Sequence, residues 1–198
     1  VRSTEAAAAL GVRLKLVGAA IGLNVTLHQS DGSSPVGRGI GPSLEARDVL
    51  AVLRRAQEAP LDLRGRALDL AGKLLDLAPG ARAGRGRREA EALLDSGAAE
   101  AKFLAICTAQ GGFREPDAAA HRIEITAGVS GQLIAIDNRL IARIAKLAGA
   151  PRQKSAGVRL LARTGDQVIK GQPLYEIHAE TPGELAYSAG YAESHSNV

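Results

Sequence analysis

The stretch Gly32-Ser33-Ser34-Pro35-Val36-Gly37-Arg38-Gly39-Ile40-Gly41-Pro42 is the first place in this chain where residue types and spacing could do chemistry. Glycines let backbone N–H groups come close to an anion, and a helix start just beyond them adds favourable partial charge. No Gly-Lys-Ser/Thr follows, so the nucleoside-triphosphate loop pattern fails. The G-x-G-x-G spacing also departs from the dinucleotide pattern, which needs G-x-G-x-x-G after a strand. The same backbone could instead turn carbonyl oxygens toward a hard cation, with Asp48 in the following helix supplying a carboxylate. Against both stands a plainer reading, in which the loop packs a helix onto a sheet and Asp48 is a solvated residue beside Arg47.

A second motif is Gly165-Asp166-Gln167-Val168-Ile169-Lys170-Gly171-Gln172-Pro173-Leu174. This G-D-x-V-x-K-G-x-x-L turn recurs in biotinyl and lipoyl carrier domains. Glycines at its ends supply positive φ, and Asp166 can bond its own turn. A carrier needs its lysine at the tip of a hairpin. Here Lys146 is expected on a helix and Lys170 inside the turn itself, so a structural role is expected. His28, His121, His178 and His195 are isolated, with no H-x-x-x-H or H-E-x-x-H pair. His28 and His178 are expected to end apolar strands as hydrogen-bonded structural residues. No G-x-S-x-G elbow occurs. The segment shows no nucleophile or acid–base pair, and no organic cofactor is called for.

Cys107 is the only cysteine, so no disulfide and no cysteine zinc site can form within the chain. That usage fits a reducing cytoplasm. Phe103, Leu104 and Ile106 around it suggest a buried helix residue. Net charge is +4, and part of the excess sits in one run, Arg82, Arg85, Arg87 and Arg88. Nucleic-acid binding would want aromatic platforms beside such a run, but the chain has no Trp, two Phe and three Tyr. A solvated loop is expected there, and no nucleic-acid partner. No apolar run approaches the roughly 18 residues that span a bilayer, so no membrane partner is expected either. With no methionine and a start at Val1, the 198 residues are expected to be part of something longer.

The elements that must position these groups follow from periodicity. Leu10, Leu14, Val17 and Ile21 share one face of a helix over 5–22, capped by Ser3 or Thr4. Asn24–His28 reads as a strand, and helix then strand suggests the last unit of an α/β sheet. Helices are expected over 43–55, 61–77, 88–94 and 98–110. The loop 79–87 separates the second and third of these. Pro116, Asp117 and a short alanine run mark 113–121 as a linker. Beyond it the period changes to alternation, with strands at 122–126, 131–136, 158–163 and 173–178. A helix is inserted at 138–148 and another expected at 185–192, with 193–198 frayed. The fold class is therefore α+β: residues 1–112 as the end of an α/β domain, then residues 122–198 as a small β-rich, barrel-sandwich-like domain.

Taken in order, the motifs resemble a known family. The run G-S-S-P-V-G-R-G-I-G-P-S-L-E-A-R-D-V-L is similar to a stretch of thymidine phosphorylases and AMP phosphorylases. So are D-L-x-x-x-A-L-x-L-A-G-x-L-L (Asp62–Leu75) and S-G-x-A-x-x-K-F ending in A-Q-G-G (Ser96–Gly112). So are S-G-x-x-x-x-I-D-N-R-x-I-x-x-I-A-x-x-A-G-A-P (Ser130–Pro151), K-S-A-G-V and G-D-x-V-x-K-G-x-P-L. The resemblance runs from Val1 to about Ala192. Each motif alone is weak, and the ordered set is specific. The wording of the loop and of I-D-N-R looks closer to the archaeal-type, AMP-phosphorylase-like branch than to the common bacterial thymidine phosphorylases.

The resemblance implies an enzyme that cleaves an N-glycosidic bond with inorganic phosphate, giving a free base and a pentose 1-phosphate. It implies that the groups holding phosphate and base lie upstream of Val1, so that none is assigned here and the isolated segment is inactive. It also implies a potassium ion, carried by the carbonyls of Val36 and Gly39 and the carboxylate of Asp48, where the family has Glu. A nucleoside or nucleotide and phosphate would be the partners, and the family forms dimers or larger assemblies. Thymidine and AMP both stand open as substrates, and a non-enzymatic carrier or adaptor module is the rival reading.

Overall fold

The computed structural model describes residues 3–78, 80 and 84–195. Of the features expected above, Arg82 and residues 196–198 lie outside them. The chain forms two compact units, residues 1–32 and 33–198.

The first unit is one helix and the segment that returns along it. Helix α1 spans Thr4–Ala20, and the Ser3 hydroxyl caps it by accepting from Ala6 N at 3.1 Å. Its buried residues are Gly11 and Gly18 alone. The returning segment fills those two notches. A Cβ on Gly11 would sit 2.7 Å from Leu27 Cδ1, and one on Gly18 would collide with Val25 Cγ2. The stripe that periodicity places on one face is open: Leu10, Leu14, Val17 and Ile21 are exposed, Ile21 by 67%. Residues 24–28 form no strand. A strand exists only through a ladder with a neighbour, and none is present among the described residues of this unit.

The second unit is mixed α+β, as expected, with no closed barrel among the described residues. It contains β1 (Gly39–Ile40), α2 (Pro42–Leu53), α3 (Leu61–Asp76), α4 (Gly86–Asp95) and α5 (Ala98–Ala109). There follow β2 (His121–Thr126), β3 (Gly131–Gln132), α6 (Asn138–Leu147), β4 (Gly157–Leu160), β5 (Gln167–Val168), β6 (Pro173–Ala179) and α7 (Pro182–His195). A four-stranded antiparallel sheet has the order β1-β4-β6-β2, and β3 pairs with β5 as a separate ribbon. The strand expected over 131–136 shortens to two residues, and β1 forms where the sequence carries no strand signal.

Alternation along β6 divides the sheet into two faces. Tyr175, Ile177 and Ala179 point to one side, with Val158 and Leu160 from β4. Helices α6 and α7 cover that side with Ile141, Ile144, Ala145, Ala189 and Ala192. Asp137 starts α6 by accepting from Arg139 N at 2.8 Å and Leu140 N at 3.2 Å. Ser188, fully buried on α7, donates to the Ile144 carbonyl at 2.9 Å, so its hydroxyl is satisfied in the core. A second apolar cluster holds the helices together through Val52, Ala59, Leu68, Ala90 and Leu94. Helices α3 and α4 approach closely at Gly72 and Gly86, and Asp76 Oδ1 accepts from Gly86 N at 2.8 Å.

The boundary expected at 113–121 falls inside the second unit. That segment carries no helix or strand before His121, yet Arg47 donates to the Pro116 carbonyl at 3.1 Å and Arg54 pairs with Glu115. Strand β1 comes from before the segment and β4 from after it, so one sheet joins both sides. Cys107 is half-buried on α5, a helix with no fully buried residue, and Ile106 beside it is 49% exposed. The buried position expected for it is not what forms.

Truncation of Ile144, which is 0% exposed, to alanine should cost about 2–5 kcal/mol of unfolding free energy. Ile134→Ala, at an 83% exposed position, should stay within roughly 0.5 kcal/mol. Urea denaturation of both variants beside the parent chain measures the contrast.

Candidate functional site

The glycine-rich loop enters the sheet rather than standing clear of it. Gly39 and Ile40 pair with Arg159 and Val158, and Leu160 N donates to Arg38 O at 2.8 Å. The loop amides are answered by carboxylates of the chain itself. Asp48 Oδ2 accepts from Arg38 N at 2.6 Å and from Gly39 N at 2.8 Å. Asp62 Oδ2 accepts from Gly37 N at 3.1 Å, and Glu45 Oε1 from Gly41 N at 3.0 Å. Donors spent in this way do not cradle a phosphate.

The glycines are required by close packing. Gly41 has φ +131°, and a Cβ on it would run into the Ala156 carbonyl. A Cβ on Gly37, at φ +79°, would stand 2.7 Å from Asp48 Oδ2. The loop thus seats the start of α2 on β4, while Asp48, on the plainer reading a solvated residue beside Arg47, is instead part-buried and bonded to the loop amides.

Val36, Gly39 and Asp48, the residues singled out for a cation, meet at this loop. The Asp48 oxygen facing it already receives two N–H dipoles. A potassium ion would have to use Asp48 Oδ1 with the carbonyls of Val36 and Gly39. Among the described residues there is no group of three His, Cys, Asp or Glu placed to hold a metal ion.

The lysine turn does what its residue types suggest. Asp166 Oδ2 accepts from Arg163 N at 2.8 Å, and Gly165 and Gly171 take φ of +98° and +86°. Lys170 N donates to Ser130 Oγ at 2.8 Å, and Gly171 N to the Ala127 carbonyl at 2.8 Å. Lys146 lies on α6. Neither lysine stands at the tip of a β-hairpin. Of the arginine run, Arg85 precedes α4 as its cap and Arg87 pairs with Asp69 on α3, which is helix-to-helix work.

The histidines stay apart. His28 is outside any strand, His121 begins β2, and His195 Nδ1 lies 3.0 Å from the Tyr191 carbonyl on α7. His178 is different, being 3% exposed at the end of β6 with Nε2 free of any hydrogen bond. Burial pushes its pKa down; Glu176 opposes that shift, and Arg122 and Arg159 reinforce it. Tyr175, buried on the other face, has its phenol pushed up to about 12 by burial alone.

Comparison with known proteins then supplies what the side chains do not. Residues 133–195 match the pyrimidine nucleoside phosphorylase C-terminal domain. The chain is 57% identical over 98% of its length to "Putative thymidine phosphorylase 1" of Acidovorax sp. (strain JS42). It is 55% identical over its whole length to "Putative thymidine phosphorylase" of Polaromonas sp. (strain JS666 / ATCC BAA-500), and 51% to that of Hahella chejuensis (strain KCTC 2396). Over nearly its whole length the chain is similar to the C-terminal portion of thymidine phosphorylases. It spans 38 to 39% of the length of these relatives. The family's C-terminal domain therefore covers α6, β4, β5, β6 and α7, together with the turn that looked carrier-like.

Asp48→Ala removes the acceptor of two part-buried amides. It should lower stability by about 1–3 kcal/mol and speed hydrogen exchange at Arg38 and Gly39 before any other part of the sheet. Unchanged exchange at those two amides would detach Asp48 from the loop.

Proposed function

We propose that these residues are the supporting C-terminal part of a nucleoside phosphorylase acting on a pyrimidine nucleoside, thymidine first. In that reaction the C1′–N bond of the nucleoside breaks and a phosphate oxygen bonds to C1′. The base leaves with a proton, giving free base and deoxyribose 1-phosphate. Positioning and electrostatic stabilisation of an oxocarbenium-like state would carry the rate. The observation that carries the reading is the near-complete match of this chain to relatives named as thymidine phosphorylases. One feature supports it. Helix α1 leaves Leu14, Leu16 and Val17 exposed, the surface of an element built to be covered.

AMP is the alternative to thymidine, favoured by the I-D-N-R wording of Ile136–Arg139. The reading includes a homo-oligomer in the cytoplasm, without nucleic-acid or membrane partners. No helix among the described residues is long and apolar enough to cross a membrane.

The 198 residues assayed alone with thymidine or AMP and phosphate should release no base. A chimera joining them to the preceding portion of the Acidovorax relative should release thymine from thymidine. Turnover by the segment alone, or a folded but inactive chimera, would each count against the assignment. Adenine release by the chimera with no thymine would move it to AMP.

The reading also places a potassium ion on the Val36 and Gly39 carbonyls and Asp48 Oδ1, bracing the loop. Melting in potassium chloride should then exceed melting in choline chloride at equal ionic strength. Asp48→Ala should abolish the difference, and equal melting of the parent chain in both salts removes potassium from the reading.

A further inference from the structure

The face of the main sheet turned away from the α6–α7 core is polar and basic. Cross-strand register places Arg122 of β2 opposite His178 of β6, and Arg159 of β4 opposite Glu176. Residues 122, 159, 176 and 178 share this face by parity. Helix α2 forms the facing wall with Leu44, Arg47, Asp48 and Ala51, and Arg38 closes one end. Between them lies a cleft of about 250 Å³, room for a phosphate group with a pentose attached.

Its charge is unbalanced. Four guanidinium groups line it, from Arg38, Arg47, Arg122 and Arg159, against the carboxylates of Asp48 and Glu58. Asp48 is moreover committed to two loop amides. Arg159 has a partner in Glu176 at 3.5 Å, which sits behind it, 14% exposed. Arg38 and Arg122 make no ion pair among the described residues.

Two buried polar atoms face each other on this side of the sheet, His178 lining the cleft and Glu176 beside it. His178 Nε2 and Glu176 Oε2 are 3.5 Å apart, and neither makes a hydrogen bond. Buried polar groups of this kind are nearly always satisfied by protein, water or ligand. Convergent arginines are the usual counterpart of phosphate, whose tetrahedral oxygens accept from several forks at once.

We propose that this cleft between the polar face of the sheet and α2 binds a phosphate group, with Arg122, Arg159 and Arg47 as its cationic contacts and the His178 ring as a hydrogen-bond donor from the floor. The ligand is inorganic phosphate or the phosphate of a small sugar monoester. A carboxylate would leave two or more of the guanidinium groups unused. The site does not depend on catalysis by this segment, so the test reads binding and not turnover.

The 198-residue chain, labelled with 15N, is titrated at fixed ionic strength with inorganic phosphate, with ribose 5-phosphate and with ribose. Both phosphates should saturably shift the side-chain Nε–H signals of Arg122 and Arg159 and the ring nitrogens of His178, and ribose should shift none. Equal affinity for the two phosphates assigns the inorganic ion; tighter ribose 5-phosphate assigns the monoester. Arg122→Ala should weaken binding about tenfold or more, as loss of one charge-assisted contact does. Arg122→Glu should abolish it. Arg88→Ala, on α4, should leave it unchanged. Because Arg122 is exposed on an outer strand, its variants should melt with the parent. The proposal is overturned by shifts that never saturate, by shifts confined to other residues, or by parent-like affinity in Arg122→Glu.

Discussion

When a glycine-rich loop is drawn against a sheet its amides lose water, and every one of them must find an acceptor. In this chain the acceptors are carboxylates from the helices that follow. Asp48 reaches back from α2 to two successive amides, Asp62 from the start of α3 to a third, and Glu45 to a fourth. Much else depends on this arrangement. It fixes the first turn of α2 against β4, brings β1 onto the sheet edge and sets the height of the α2 wall above the polar face. Asp62 also meets Arg163 at 3.4 Å, so the same loop is tied to the turn before β5. Net contributions of single hydrogen bonds are modest, but an unmet buried amide is costly. The carboxylates are therefore as necessary to the loop as its glycines.

Helices were the most legible part of the sequence because their signal is local. The α6 stripe of Leu140, Ile141, Ile144 and Leu147 and the α3 stripe through Leu63, Leu70 and Leu74 announce their own period, and both helices form close to the expected bounds. Strands are relational and were read less well. Val25 and Leu27 alternate like a strand, but they pack into glycine notches of α1 without a ladder partner. Gly39–Ile40 carries no strand signal, and forms one because β4 offers a free edge. The period change near residue 120 was real, but it marked where strands begin and not where one compact unit ends.

The site was legible in a different proportion. The ordered motifs pointed to the family, and the loop, Asp48 and the lysine turn were all picked out as local patterns. The work they do was not. A carboxylate nine or ten residues away in sequence looks the same whether it faces a cation, solvent or two amides; only the register of loop and helix decides. The basic cleft was invisible for the same reason. Arg38, Arg47, Arg122 and Arg159 are scattered singly along the chain, whereas of the arginines that cluster in sequence Arg85 caps α4 and Arg87 pairs with Asp69 of α3. One clue was available: His178 and Glu176 alternate with Tyr175 and Ile177, so a strand with one apolar face had to carry two ionisable groups on the other.

That alternation explains how one short strand serves two purposes. The odd-numbered side chains of β6 are packed under α6 and α7, where Ile177 and Ala179 are fully buried. This burial fixes the register of β2 and β4, because a slip by one residue would send the whole apolar set to the wrong face. The polar side then inherits its geometry without packing of its own. Arg122 must lie opposite His178, and Arg159 opposite Glu176, for as long as Ile123 and Val158 lie opposite Ile177. A cluster of like charges would not assemble itself, since each guanidinium repels the next. Here the apolar core on one side of the sheet offsets that repulsion and holds the arginines where an anion can relieve it.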